Sequence, residues 1–204
     1  MSKPHFLNLP NQLTLARVVI SPVFMGLLMV ENVWCRYAAL GLFVLASITD
    51  MLDGYLARRT GQMTKFGKFM DPVADKLLIA LALISFVALK LAPTWAAMVI
   101  IAREILVMGL RTLVAYRGEM MESSFFSKVK TFSQMLYTSC VILFLCWRDT
   151  AALAGRPFSA IRLDSIAYGL DALLFLALAL TVFSGFDYII KNRWLLLGLF
   201  KGNF

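Results

Sequence analysis

A chain of 204 residues that is 60% hydrophobic, with a mean hydropathy of +0.78, excludes a soluble globular protein and indicates an integral membrane protein. No polar stretch is long enough to fold separately, so we expect one domain over residues 1–204. The net charge of +8 requires no nucleic acid as a partner, because a membrane protein distributes basic residues between its loops for another reason.

Apolar stretches of about 20 residues, the length that crosses a bilayer, recur along the chain. They predict an all-α fold, an integral membrane bundle of six transmembrane helices at residues 11–30, 36–58, 66–90, 94–117, 128–147 and 166–190. Residues 5–17 alternate polar and apolar positions, which indicates a short N-terminal interfacial segment, with Asn11 as the cap of the first helix. No small-residue cleavage site follows the first span, so we expect a retained helix rather than a signal peptide. Residues 148–164 are expected to form the longest loop.

Basic residues in the loops favour one side of this bundle. With the N-terminus inside, thirteen lie on the inner side: Lys3, Arg17, Arg58, Arg59, Lys65, Lys68, Arg111, Arg117, Lys128, Lys130, Lys191, Arg193 and Lys201. Five lie on the outer side: Arg36, Lys90, Arg148, Arg156 and Arg162. The positive-inside rule therefore predicts a multi-pass protein of the cytoplasmic membrane with both termini in the cytoplasm. The inner charge would also attract anionic lipids or phosphorylated substrates.

Four carboxylates lie close together in this apolar chain, at Asp50, Asp53, Asp71 and Asp75. Each pair has helical spacing, which places its two members on one helix face. The polar residues 58–62 between the pairs predict the turn of a helical hairpin. Both pairs are nearly symmetric about residue 62, so the four side chains should lie at matching depths near the inner membrane face.

Such a cluster requires a cationic partner. Two bare carboxylates about 4 Å apart repel by roughly 4 kcal/mol at an effective dielectric constant near 20. Oxygen ligands without clustered Cys or His favour Mg²⁺ or Mn²⁺ over zinc or copper, and four carboxylates leave room for two ions. The small residues Gly54 and Ala57 leave a flat surface beside the carboxylates, and Arg58 at its end is placed to meet a phosphate.

Other polar residues enter the predicted spans. Arg103 and Arg111 share a helix face and would form an anion pocket if they face the carboxylates, whereas Glu104 could form a structural ion pair. Lys130, with Gln134 one turn later, extends a polar stripe into the fifth span. The spacing of Asn11, Thr14 and Arg17 favours an interfacial cap with Arg17 reaching back to the headgroups.

Carboxylates that hold divalent ions among basic side chains suit phosphoryl transfer, and their depth implies a lipid substrate. A divalent-cation transporter is the alternative from another class. Transporters tend to place such sites near the bilayer midplane between repeated halves, and this cluster lies near one face and is unrepeated. A phospholipase D-type synthase needs two catalytic histidines, and this chain has one.

The carboxylate segment reads Asp50-x2-Asp53-Gly54-x2-Ala57-Arg58-x8-Gly67-x3-Asp71-x3-Asp75, and in every fixed position it resembles the signature of the CDP-alcohol phosphotransferase family. Most of the chain is similar to the bacterial branch of that family that uses glycerol 3-phosphate. The similar segments are residues 8–17, 69–76, 101–111 and 128–134; Ser127 departs from the usual Gly.

The resemblance implies transfer of the phosphatidyl group from CDP-diacylglycerol to sn-glycerol 3-phosphate, with release of CMP, by a protein that is commonly a homodimer. It implies two metal sites among Asp50, Asp53, Asp71 and Asp75, with Asp75 also the base. It places the CDP-diacylglycerol nucleotide at Asn11, Thr14, Gly54, Ala57, Arg58 and Thr64. Arg103, Arg111 and Lys130 are our choice for the acceptor phosphate. Serine or inositol phosphate as acceptor remains the alternative within the same chemistry.

Overall fold

The protein is a bundle of helices. A computed structural model describes the backbone of residues 9–60, 65–116, 125–155 and 160–193, and the side chains of residues 12–49, 70, 73, 74, 76–114, 126–155 and 163–193. These residues form six helices and no strand: α1 (Leu9–Met29), α2 (Val33–Thr60), α3 (Lys65–Ala88), α4 (Thr94–Tyr116), α5 (Phe125–Leu153) and α6 (Ala160–Lys191). The predicted all-α class and the six spans are confirmed, with boundaries that differ mostly by a few residues.

The apolar length of the helices fits a multi-pass membrane protein. Three of the described segments are each long and apolar enough to cross a bilayer: Gln12–Met29, Phe126–Leu153 and Leu163–Lys191. Shorter apolar segments occupy Val33–Thr49 in α2 and Lys76–Ala88 in α3. Large apolar side chains such as Phe183 and Phe186 are exposed on the bundle surface, as expected where lipid replaces water.

Helix α1 packs against both α2 and α3. Its buried positions are spaced alternately by three and four residues, so they form one continuous face: Thr14, Arg17, Ser21, Phe24 and Leu28. The Phe24 ring lies 6.0 Å from that of Phe43 on α2. The remaining bundle is closed by α5 against α6 and α2, by α4 against α6, and by α3 against α4 and α5.

Two expectations about segment ends are wrong. Helix α1 begins at Leu9, so Asn11 lies inside its first turn and is not its N-cap. Helices α5 and α6 extend into the expected loop of residues 148–164, as far as Leu153 and from Ala160 onward. Helix α5 continues because its charged end is paired: Asp149 accepts from Arg148 and lies 2.9 Å from the Arg36 Nε on α2.

Candidate active site

The four signature carboxylates belong to the adjoining ends of α2 and α3, which only residues 61–64 separate. Asp50 lies ten residues before Thr60, and Asp75 lies ten residues after Lys65, so both are about 15 Å along their helices from that connection. The two Asp pairs are therefore nearly symmetric along their helices about the connection, while the helical hairpin and the matching depths stay predictions. We call this end of the bundle the motif end.

Several predicted site residues are described by their backbone alone or lie outside the described residues. Asn11 is in the first turn of α1, while Asp50, Asp53, Gly54, Ala57 and Arg58 are in α2, and Asp71 and Asp75 are in α3. Thr64 lies outside the described residues. Among the side chains that are described, no three metal-ligating groups come together, and the four Asp side chains are not in that set.

Helix α1 contributes two polar side chains to the bundle interior. Thr14 and Arg17 are each only 2% exposed, on the face that packs against α2 and α3. The expectation that Arg17 reaches back to the headgroups is therefore wrong. A guanidinium at this depth requires internal polar partners, since an unpaired buried charge is strongly unfavourable.

A polar cluster at the motif end is centred on Glu104 of α4, which is 7% exposed. Its Oε1 accepts hydrogen bonds from Lys130 Nζ and from Gln134 Nε2 (3.3 Å), both on α5. Its Oε2 lies 3.4 Å from Lys76 Nζ on α3. One carboxylate thus joins three helices, and the expected ion pair of Glu104 is confirmed and involves more partners than the sequence indicated.

Arg103, next to Glu104 in the chain, connects this cluster to α6. Its Nη1 lies 3.4 Å from Glu104 Oε1, and its Nη2 donates to Ser184 Oγ at 2.8 Å. Gly185 gives the side chain its space, because a Cβ there would lie 3.3 Å from Arg103 Nε. Gln134 also reaches α6, donating to Thr181 at 3.1 Å. The half-buried guanidinium is therefore fixed against α6 in one orientation.

A cavity of about 70 Å³ lies against this cluster. Its walls carry all three residues predicted for the acceptor phosphate, and it is lined by Lys76, Arg103, Glu104, Val107, Met108, Arg111, Ser127 and Lys130. Arg111 is exposed, with its Cζ 5.7 Å from the centroid of the buried Tyr188 ring, a cation–π distance. We call this cavity the basic pocket.

Of the described residues that line the basic pocket, four have basic side chains and one has a carboxylate, an excess of three positive charges among them. Such an excess suits a dianionic phosphate, and two of the four cations are arginines, whose planar groups bind phosphate in a bidentate manner. Sequence reasoning missed Lys76 as a member of this set. The available signal was its position directly after Asp75, since a lysine inside an apolar span needs a partner.

Comparison with known proteins shows which family this chain resembles. A model of the family described as CDP-alcohol phosphatidyltransferase matches residues 7–183. A protein of Bacillus subtilis (strain 168) is 39% identical over 197 residues, covering 91% of this chain and 95% of the relative. One of Rickettsia felis is 38% identical over 181 residues, covering 89% and 93%. One of Escherichia coli (strain K12) is 36% identical over 191 residues, covering 91% and 95%.

All three relatives carry the name CDP-diacylglycerol–glycerol-3-phosphate 3-phosphatidyltransferase. Identity above one third over about nine tenths of both chains extends well beyond the carboxylate segment. It includes α3, α4 and α5, the helices whose described residues line the basic pocket, and the family match spans them as well. The chain therefore belongs to the CDP-alcohol phosphatidyltransferase family.

Proposed function

We propose that this protein transfers the phosphatidyl group of CDP-diacylglycerol to sn-glycerol 3-phosphate, giving phosphatidylglycerophosphate and CMP, in phospholipid biosynthesis. The names of the relatives support both substrates. The observation that carries the proposal to this chain is the basic pocket, which lies at the motif end and includes Lys76, the residue that follows Asp75. An acceptor held there by its phosphate would lie beside the carboxylate helices.

The charge of the pocket favours a phosphorylated acceptor over serine. Serine has no phosphate and one carboxylate, so it would leave most of the excess positive charge uncompensated. Arg103, Arg111 and Lys130 are the residues that we assign to the acceptor phosphate, with Lys76 as a fourth cation of the same pocket.

The signature carboxylates Asp50, Asp53, Asp71 and Asp75 are the residues that would hold two divalent ions, Mg²⁺ or Mn²⁺. Their all-oxygen donor set and their position on adjoining helix ends fit hard cations. When bound, such ions neutralise phosphate oxygens and stabilise the attacking and leaving oxygens of a displacement. Apart from these ions, the groups that act in the proposed reaction belong to residues of this chain.

Asp75 is proposed as the general base as well as a ligand. It would take the proton of an acceptor hydroxyl as that oxygen forms a bond to the phosphorus that bears diacylglycerol. The bond from this phosphorus to the CMP oxygen breaks, and CMP leaves with the electron pair. The cytidine nucleotide is assigned to residues of α1, α2 and the connection after α2: Asn11, Thr14, Gly54, Ala57, Arg58 and Thr64.

The whole chain, residues 1–204, is proposed to act as one domain in the cytoplasmic membrane, with the motif end and both termini on the cytoplasmic side. The basic residues concentrated on that side support this orientation. We also propose a homodimer, on the basis of the family resemblance.

Purified protein supplied with CDP-diacylglycerol and a panel of alcohols tests the proposal directly. Release of CMP with glycerol 3-phosphate, and none with serine or inositol phosphate, is the expected result. If CMP release is fastest with serine, serine and not glycerol 3-phosphate is the acceptor. If no alcohol releases CMP, the protein is not this transferase. A radiolabelled divalent-cation uptake assay in liposomes tests the transporter alternative.

Arg111→Ala is expected to raise the KM for glycerol 3-phosphate by about 10- to 100-fold, since it removes a charge-assisted contact of roughly 1.5–3 kcal/mol. The KM for CDP-diacylglycerol should hardly change. Arg58→Ala, on the carboxylate helix, should show the reverse pattern. If the Arg111 variant loses affinity for both substrates equally, Arg111 stabilises the bundle through its contact with Tyr188 and does not bind the acceptor.

Gly185→Ala tests whether the space at Gly185 on α6 positions the Arg103 side chain. The added Cβ would lie 3.3 Å from Arg103 Nε and 3.5 Å from its Cγ, so the guanidinium must shift by a few tenths of an ångström. A cost of about 1 kcal/mol is expected, which raises the KM for glycerol 3-phosphate about fivefold. Gly169→Ala on the same helix is the matched control, because its added Cβ would meet nothing within 4 Å. Equal KM values for the two variants would contradict this role of Gly185.

A further inference from the structure

Among the described residues that line the basic pocket, Glu104 has the one anionic side chain. Its carboxylate touches three of the four cations there: Lys130 and Arg103 through Oε1, and Lys76 through Oε2. We infer that Glu104 is a positioning residue for the transfer reaction, which holds Lys130 charged and in place and ties the helix that carries Asp75 to the acceptor pocket. This inference rests on the proposed function.

The first step concerns the charge of Lys130. This lysine is 1% exposed, and among the described residues its only recorded acceptor or anionic partner is Glu104. A buried ammonium without a carboxylate partner either loses its proton or moves toward water. In both cases the pocket loses a cation, so removal of Glu104 should act on the acceptor in the same way as removal of Lys130.

The second step concerns the direction in which the carboxylate faces. Gln134 Nε2 donates to Glu104 Oε1 at 3.3 Å and to Thr181 Oγ1 at 3.1 Å, so a neutral amide helps to fix the carboxylate between α5 and α6. Fixed in this way, Glu104 presents Oε2 to Lys76 on α3 at 3.4 Å. Because Lys76 follows Asp75 in the chain, a single α4 side chain connects the pocket to the backbone of the proposed base.

The third step distinguishes a positioning role of Glu104 from a contribution to stability alone. A second carboxylate with two basic partners, the half-buried Asp149, contacts Arg36 and Arg148 at the opposite end of the bundle. Both carboxylates join helices through basic side chains, but Glu104 alone lines the basic pocket. If ion pairing served only to hold helices together, the loss of either carboxylate should have similar consequences for the enzyme.

Steady-state kinetics on purified Glu104→Gln and Asp149→Asn test the inference. Glu104→Gln is expected to raise the KM for glycerol 3-phosphate by about 10- to 100-fold and to leave the KM for CDP-diacylglycerol within about twofold. Asp149→Asn should lower the melting temperature with both KM values unchanged. Glu104→Asp restores the charge but not the reach, so its KM for glycerol 3-phosphate should lie between those of the wild type and Glu104→Gln.

A double-mutant cycle tests the route of the effect. If Glu104 acts through Lys130, Glu104→Gln combined with Lys130→Met should raise the KM no further than Lys130→Met alone. Multiplication of the two single effects would overturn the inference, as would a wild-type KM in Glu104→Gln. If Glu104→Gln does not fold, Gln134→Leu keeps every charge and should still raise the KM for glycerol 3-phosphate two- to fivefold, by about 0.4–1 kcal/mol.

An unchanged KM for glycerol 3-phosphate in Gln134→Leu would likewise overturn the inference about Glu104. Failure of the proposed function looks different, because wild-type protein would then release no CMP with glycerol 3-phosphate. The inference alone fails when the wild type is active and the Glu104 and Gln134 variants retain its KM values.

Discussion

Asp75→Asn is expected to reduce CMP release by at least about 10²- to 10⁴-fold, because a general base contributes that factor and the loss of a metal ligand adds to it. Binding of CDP-diacylglycerol should remain largely intact, since the nucleotide is assigned to other residues of α1 and α2. Single-turnover CMP release, measured beside equilibrium binding of CDP-diacylglycerol, separates the two effects.

Asp171→Asn is the matched control for this variant. Asp171 is an exposed carboxylate on α6, outside the basic pocket and the signature, so its replacement should change neither measurement. CMP release at the wild-type rate in Asp75→Asn would exclude Asp75 as the base. Loss of CDP-diacylglycerol binding together with turnover would instead place Asp75 in donor binding.

Removal of divalent cations by a chelator is expected to abolish activity and to lower the melting temperature. Carboxylates on adjoining helix ends lose their counter-charge when the ions leave, and their mutual repulsion then destabilises the bundle. Ions present at 100 times their Kd would contribute about 2.7 kcal/mol, which corresponds to a fall of roughly 5–10 °C for a chain of this size. Circular dichroism melting and the CMP assay measure the two effects.

Two controls make the chelation result specific. Addition of excess Mg²⁺ or Mn²⁺ should restore both activity and melting temperature, and comparison of the two ions identifies the preferred one. Asp53→Asn reduces the repulsion by removing one carboxylate, so chelation should lower its melting temperature less than that of the wild type. Activity and melting temperature that both survive chelation would show that the carboxylates hold no metal.

The sequence by itself determined the helices and their order. Spans of about 20 apolar residues have few alternatives in a bilayer, because the backbone must satisfy its hydrogen bonds internally. Helical spacing likewise determined that the Asp pairs share helix faces, and the symmetric placement of Asp50 and Asp75 about the connection holds in the backbone. The family signature can also be recognised from the sequence, because its residues lie on two helices that are consecutive in the chain.

Only the tertiary structure decided which buried charges meet. Spacing showed that Arg103 and Arg111 share a face, but it could not show that Lys76 faces Glu104, because their contact depends on how α3 packs against α4. The same limitation explains why the expectation for Arg17 was wrong. A helix near the interface can direct a guanidinium either toward lipid headgroups or into the bundle, and the sequence does not distinguish the two. Packing of α1 on both α2 and α3 turned it inward, and the free energy of pairing a buried charge depends on neighbours that are remote in the chain.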